Sequence, residues 1–401
     1  MKVLLAHPGT QYAFHLANQL HAHNVLYRFH TGIGFGTNNW LFHLLRILPK
    51  YLSKKLDNRI LPNVPDSYLR RHILIEIKSL LKLKNGNKEE NVLFHRNKEF
   101  QINIPEKDLL EADLVIGFDT SSWILLERCR KINKPFILDV SIGHPLEKKK
   151  VFDQLISEFP QWIEQLRPKS KMLVELEIQE AKDASLIVVP SQFVKETYVK
   201  NNISADKIIV NPFGVNSNMF LGREKKAEKK LHFLFLGSYT ARKGLPLLLK
   251  AWAELNPTNA ILTIAGFGKL PSHVTLSENI IDGGVIIPKN RQQLFDTAHV
   301  FIFPSYFEGF AQVQIEAATC GLPLIGTYNS GAEEIIENGI NGVLITTGKK
   351  EELKKAILQF LDNPILVNKM SINSLRMAKK FTWDNYGKRW AAIIDSINLN
   401  N

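Results

Sequence analysis

The chain has 401 residues, ordinary apolar and charged fractions, and a net charge of +12, a length that exceeds one ordinary compact domain and suits two. Its two cysteines, Cys129 and Cys320, lie far apart without neighbouring metal-ligand types, which argues against a disulfide framework or a zinc site and fits a reducing cytosol. No run approaches the roughly 18 apolar residues of a membrane span, and His7-Pro8-Gly9 stops the apolar start at Val3–Ala6 before a signal-peptide core is complete.

The charge is uneven. Residues 1–100 hold 15 Lys/Arg against 6 Asp/Glu, which is +9 of the +12. Such a region suits nucleic acid, an anionic membrane surface or a phosphorylated acceptor. No nucleic-acid recognition motif accompanies it, so nucleic acid ranks last.

In chain order, short apolar runs read as buried parallel strands: Val3–Ala6, Leu114–Phe118, Phe136–Val140, Leu186–Val189 and Ile208–Val210, then His232–Leu236, Ile261–Ala265, Val300–Phe303, Leu324–Gly326 and Val343–Ile345. Helical patterns lie between them at Ser122–Lys131, Met172–Ala184, Leu245–Leu255, Arg291–Ala298 and Glu351–Leu361. Alternating strands and helices predict parallel sheets covered on both faces, and two series predict two doubly wound domains. Ligands of such sheets bind beyond the carboxyl ends of the strands. The break falls near Asn211-Pro212-Phe213-Gly214, followed by the charged segment 222–230, which reads as a surface linker. Residues 30–105 depart from the rhythm. Trp40–Leu56 and Tyr68–Leu83 carry apolar residues at helical spacing with many lysines and arginines. They fit amphipathic helices packed on the sheet, or a surface that meets anionic lipid or a lipid-linked acceptor.

Two segments carry chemistry. Phe235–Gly244 follows a strand and precedes a helix, with Gly237 and Gly244 for tight turns and Arg242 and Lys243 as adjacent cations. A helix N-terminus with two cations matches the charge of a diphosphate; a turn with two solvated charges has the same sequence. In Phe303–Pro323, a strand ends at Pro304, a loop carries Glu308 and Gly309, and a helix runs from about Ala311 to a stop at Gly321. Glu308 before the helix and Glu316 two turns along it suit hydroxyls of a sugar ring and of a ribose; two surface glutamates are the plain alternative. Cys320 reads as a packing residue.

These segments resemble the family 4 retaining glycosyltransferases of GT-B architecture: two Rossmann-like doubly wound domains facing a central cleft. Phe303–Pro323 is similar to their E-x7-E signature, with Glu308 and Glu316 as its glutamates. Ser191-Gln192-Phe193, Asn211–Asn216, Ala265-Gly266-Phe267-Gly268, Gly284–Ile287 and Phe381-Thr382-Trp383 match further family segments in order. The match is dense from about 186 to 390 and thin before it. The implied division is an acceptor-binding domain over 1–212, a nucleotide-sugar-binding domain over 213–384, and a helix over 385–401 that crosses back.

The resemblance implies roles. Arg242 and Lys243 bind the diphosphate, Glu308 the donor-sugar hydroxyls, and Glu316 the ribose. Gly309, Phe310 and Ala311 present amides; Val285, Ile286 and Ile287 lie against the base; Gly9, Gly237, Ser238 and Gly266 border the donor. His144 faces the donor sugar, and Asp119 touches the acceptor. Three departures are visible: Ser238 where relatives have arginine, Ala311 where a glycine is usual, and a single glycine, Gly9, in the first loop. The implied reaction is metal- and cofactor-independent transfer from a UDP- or GDP-sugar to a saccharide or lipid-linked acceptor. Its setting is cell-surface polysaccharide, glycolipid or glycoconjugate synthesis in the cytoplasm, peripheral to the inner face of the membrane. A nucleotide-sugar epimerase, a phosphorylase and a non-catalytic partner subunit that binds nucleotide-sugar are the rivals.

Overall fold

The computed structural model describes residues 1–10, 12–36, 59–166, 168–216, 219–287 and 290–398. The helix expected over Trp40–Leu56 lies outside the described residues.

The first half builds a seven-stranded sheet, in spatial order β3-β2-β1-β4-β5-β6-β7. Its strands are β1 (Val3–His7), β2 (Leu26–Thr31), β3 (Leu69–Arg71), β4 (Leu114–Phe118), β5 (Phe136–Asp139), β6 (Leu186–Val189) and β7 (Ile208–Val210). All neighbours are parallel. The central strands β1, β4 and β5 are buried along their whole length, as helices on both faces require. The helices of this half are α1 (Ala13–Ala22), α2 (Ile73–Lys84), α3 (Glu89–Ile102), α4 (Glu106–Glu111), α5 (Trp123–Lys131), α6 (Pro145–Glu158), α7 (Lys171–Asp183) and α8 (Gln192–Val199).

The second half builds a six-stranded parallel sheet, order β10-β9-β8-β11-β12-β13. Its strands are β8 (Leu231–Leu236), β9 (Ala260–Ala265), β10 (Ile280–Asp282), β11 (Val300–Phe303), β12 (Leu324–Thr327) and β13 (Gly342–Ile345). Around it lie α9 (Leu245–Leu255), α10 (Arg291–Thr297), α11 (Gln312–Thr319), α12 (Lys350–Asp362) and α13 (Leu366–Ala378). The last helix, α14 (Trp383–Asn398), returns to the first half. Trp383 stacks on His15 of α1 with ring centres 3.9 Å apart, and Arg389 donates to Asn211 Oδ1 and the Pro212 carbonyl, each at 2.6 Å.

Three expectations need correction. Tyr68–Leu83 is not one helix: Leu69–Arg71 pairs with β2 as an edge strand, and the helix starts at Ile73. The strands β2, β3 and β10 escaped notice because polar residues interrupt them, as Tyr27-Arg28 and His30 interrupt β2, or because they are three residues long. The charged segment 222–230 is not all surface. Lys225 is buried, and its Nζ donates to the carbonyls of Phe295 at 2.6 Å and Asp296 at 3.1 Å, which offsets the cost of taking the ammonium from water.

The two halves also touch across the cleft. Ser191 Oγ donates to the Gly309 carbonyl at 2.7 Å. The first amides of α8 are capped from the other domain, Gln192 by Glu334 and Phe193 by Glu333, both at 2.7 Å; carboxylates there satisfy orphan donors and the helix dipole.

Gly244 ends the turn before α9 with φ +76°, and a Cβ there would sit 1.9 Å from the Pro304 carbonyl oxygen. Gly244→Ala is therefore expected to destabilise the second half by about 1–3 kcal/mol, read as an earlier unfolding transition in thermal melts followed by circular dichroism.

Candidate functional site

The carboxyl ends of β8, β9 and β11 open onto a cavity of about 490 Å³ between the halves. Gly237, Ser238, Lys243, Gly266, Ile286, Arg291, Glu308, Phe310, Ala311, Val313 and Glu316 line it, with Tyr12 and Ser141 from the first half. Each side chain has a local reason for its place. The turn after β8 closes as one 3-10 turn, Ala241–Lys243, with Thr240 Oγ1 accepting from the Lys243 amide at 3.3 Å. The loop after β11 wraps this turn. Tyr306 N and Ser305 Oγ both donate to the Arg242 carbonyl, at 2.8 and 2.9 Å, and Arg242 Nη1 donates to the Phe307 carbonyl at 2.8 Å.

Glu308 is the hub. Its Oε1 takes Lys243 Nζ at 2.6 Å, Ser305 Oγ at 3.2 Å, and a close contact from Arg242 Nη1. Burial pushes the Glu308 carboxyl up, but Lys243 and Arg242 outweigh burial and hold it below the usual 4.5. At Lys243 burial wins, aided by Arg242, and its ammonium lies below the ordinary lysine range despite Glu308. One carboxylate shared by two cations leaves a surplus positive charge beside the cavity, which Lys243 lines and Arg242, held behind it by Glu308 and the Phe307 carbonyl, does not.

Arg291, at the start of α10, reaches both oxygens of Glu316 from its single Nη1, each at 2.7 Å, while its buried Nε has no hydrogen-bond partner. Burial raises the Glu316 carboxyl above its ordinary value, and Arg291 opposes that rise. Arg291 carried no signal in the sequence beyond opening a helical pattern, because its partner is 25 residues away.

The structure does not gather all the expected residues. Val285 and Ile287 flank the cavity as exposed side chains, and only Ile286 of the three lines it. The Ala311 amide donates to the Ser330 carbonyl at 3.2 Å rather than into the cavity. Gln312 and Val313 also line the cavity, with amides that helix geometry leaves without intrahelical partners in a helix that has no side-chain cap. Gly309 is packed against Ser141: a Cβ there would lie 1.8 Å from its carbonyl oxygen.

His144 is placed elsewhere. It is buried as the N-cap of α6, its Nδ1 accepts from Leu146 N at 3.3 Å, and its ring meets Tyr198 edge-on. Burial lowers its pKa to about 4, so the ring is neutral at working pH, and it does not line the cavity.

Gly9 and Asp119 belong to a second, larger cavity, about 910 Å³, in the first half. Asp119 accepts from Ser141 N at 3.3 Å and Ser141 Oγ at 3.1 Å. His7 lines the same space, 6% exposed, with no hydrogen-bond partner at either nitrogen. Burial, then the charge of Arg96, lowers its pKa to about 3. A buried imidazole without a partner is rare and marks a place where a ligand polar group is wanted. Ser141 borders both cavities. Among the described residues no group of three or more His, Cys, Asp or Glu is placed to hold a metal ion.

The two-sheet architecture is the GT-B fold of glycosyltransferases. The sucrose-phosphate synthase of Thermosynechococcus elongatus superposes over 100% of both chains with a TM-score of 0.66 at 17% identity. The Anabaena HepE structure in complex with UDP-glucose superposes over 99% of this chain and 100% of its own, with a TM-score of 0.60 at 15% identity. More particularly, residues 220–377 match the family model described as "Glycosyl transferases group 1". A curated relative, "Probable sucrose-phosphate synthase" of Thermosipho melanesiensis, is 28% identical over 241 residues, which are 54% of this chain and 56% of the relative. The chain thus spans about half the length of the curated relatives it matches.

The lowered Glu308 pKa has a sign. Its stabilising contribution is present above about pH 4.5 and is lost as pH falls through the lowered value. Glu308→Gln is expected to remove that pH-dependent part and to cost on the order of 3 kcal/mol at neutral pH, because two buried cations lose their anion. Melting curves from acid to neutral pH for both proteins check it.

Proposed function

We propose that the chain is a retaining glycosyltransferase that moves a sugar from a nucleotide-diphospho-sugar to an acceptor hydroxyl, without a metal or cofactor. The observation that carries this reading is Glu308 held between Arg242 and Lys243, at the uncapped N-terminus of α11, in a cavity that Glu316 also lines.

The demanding step is departure of the nucleoside diphosphate, when negative charge grows on the β-phosphate. Arg242, Lys243 and the Gln312 and Val313 amides supply preorganised positive potential where that charge develops. Ser238 cannot add a charge, so the two cations carry it. Glu308, fixed by three donors on one oxygen, keeps its second oxygen for donor-sugar hydroxyls. Glu316 receives the ribose hydroxyls, with Arg291 opposing the rise that burial imposes on its carboxyl. Gly266 and Ile286 give the base a surface. The departing phosphate takes the acceptor proton on the same face of the sugar, so no protein base is required. The larger cavity receives the acceptor, a saccharide or lipid-linked saccharide, with Asp119 and His7 at its inner end. His144 acts by holding the start of α6.

UDP- or GDP-sugars are the proposed donors; the HepE complex with UDP-glucose supports the former. Synthesis of a cell-surface polysaccharide, glycolipid or glycoconjugate from the cytoplasmic side is the proposed setting. Among the described residues no helix is long and apolar enough to cross a membrane.

Donor hydrolysis measured against UDP-, GDP- and ADP-sugars selects the donor. With it, Lys243→Ala and Glu308→Ala are expected to lower kcat by about 10²–10³ while remaining folded; near-normal rates in both would sink the assignment. Arg291→Ala is expected to raise KM more than it lowers kcat, and the KM effect should worsen as pH falls, because Glu316 without Arg291 protonates more readily.

A further inference from the structure

Helix α2 is amphipathic the wrong way round for a packed helix. Its inward side presents Glu76 and Ser79, both buried. Its outward side presents Leu74 at 83% exposure, Leu81 at 57%, Leu80 at 51%, Ile77 at 45% and Ile73 at 39%. At about 100° per residue these five fall in a stripe about 120° wide. The inversion has a cause: Glu76 turns inward to Arg59 at 3.3 Å and Arg96 at 3.7 Å, which commits the apolar residues to the outside. Single exposed leucines are ordinary, whereas five in one contiguous stripe mark a surface made to be covered.

The charge around the stripe states what covers it. Residues 73–88 carry Lys78, Lys82, Lys84 and Lys88 and a single carboxylate, Glu76, which is buried and paired. Lys84 lies at the end of the stripe and Lys88 follows the helix; Lys78 borders the stripe and pairs with Glu99 at 2.8 Å, and Lys82 lies farther round the helix. The surrounding first 100 residues hold 15 Lys/Arg against 6 Asp/Glu. Aliphatic side chains flanked by lysines match a bilayer whose headgroups are negative and whose acyl region begins a few ångströms below.

We propose that α2 docks on an anionic lipid surface, with Leu74, Ile77, Leu80 and Leu81 inserted at the headgroup boundary and the lysines on the headgroups. Glu76, on the opposite side of the same helix, lines the larger cavity. Docking therefore sets a wall of that cavity against the membrane. The proposal rests on the helix face and not on the transfer chemistry.

The test is flotation of the full chain with phosphatidylcholine vesicles, with and without phosphatidylglycerol, at low and high salt. The expected result is co-flotation only with phosphatidylglycerol, reversed by salt. A Leu74→Ser/Leu81→Ser double variant is expected to partition at least about tenfold more weakly, with an unchanged Tm and unchanged UDP binding. Lys78→Gln/Lys82→Gln/Lys84→Gln is expected to abolish the phosphatidylglycerol dependence. Absence of wild-type flotation, or equal partitioning of the leucine variant, overturns the proposal. A lowered Tm in that variant overturns it in favour of a face covered within the chain, and a halved mass in gel filtration in favour of a second copy. UDP binding reads the donor site separately, so either idea can fail alone.

Discussion

One carboxylate sits where two separate chain segments meet. Glu308 neutralises Lys243 and Arg242 from the turn after β8, and its own loop folds over that turn by donating to the Arg242 carbonyl. Without an anion at this point the turn would hold two like charges side by side in a mostly buried position. With it, the pair keeps a residual positive charge facing open space. The turn, the loop after β11 and the start of α11 are therefore a single electrostatic unit, and a phosphate bound there would add a second anion to a site built for nearly two.

The second pair, Arg291 with Glu316, obeys different physics. It is one-to-one, a single Arg291 nitrogen spanning both carboxylate oxygens, so it carries no surplus charge and attracts no phosphate. It makes a buried carboxylate tolerable and opposes, without overcoming, the rise that burial imposes on its pKa. The two glutamates of the spacing pattern thus hold unlike jobs because they have unlike partners, one shared between two cations and the other matched to one.

Legibility in the sequence followed the range of the forces involved. Strands such as Leu114–Phe118 and Val300–Phe303 were visible to the residue, because burial on both faces demands an unbroken apolar run. The cationic turn and the glutamate loop were legible as parts of one site, but the pairing of Glu308 with Arg242 and Lys243 was not, because it depends on β8 and β11 being neighbours in the sheet. Arg291 was invisible because its partner lies across a tertiary contact. His144 looked like a residue of the cleft and is a helix cap, a local role that a lone histidine after a strand fills equally well. In α2 the apolar period was read correctly, but periodicity does not say which face turns inward. The buried pairing of Glu76 decides that, and no window of sequence contains both Arg59 and Arg96 as partners.

Ser191 belongs to the first half, yet its hydroxyl holds the carbonyl of Gly309, which follows the hub glutamate. Gly309 in turn can lie this close to the Ser141 backbone only because it has no Cβ. The conformation of the loop that carries Glu308 is thus partly written in the opposite domain. The halves are not interchangeable cassettes: a chimera joining this second half to a foreign first half would inherit the cations and both glutamates and still lack the mould that sets them.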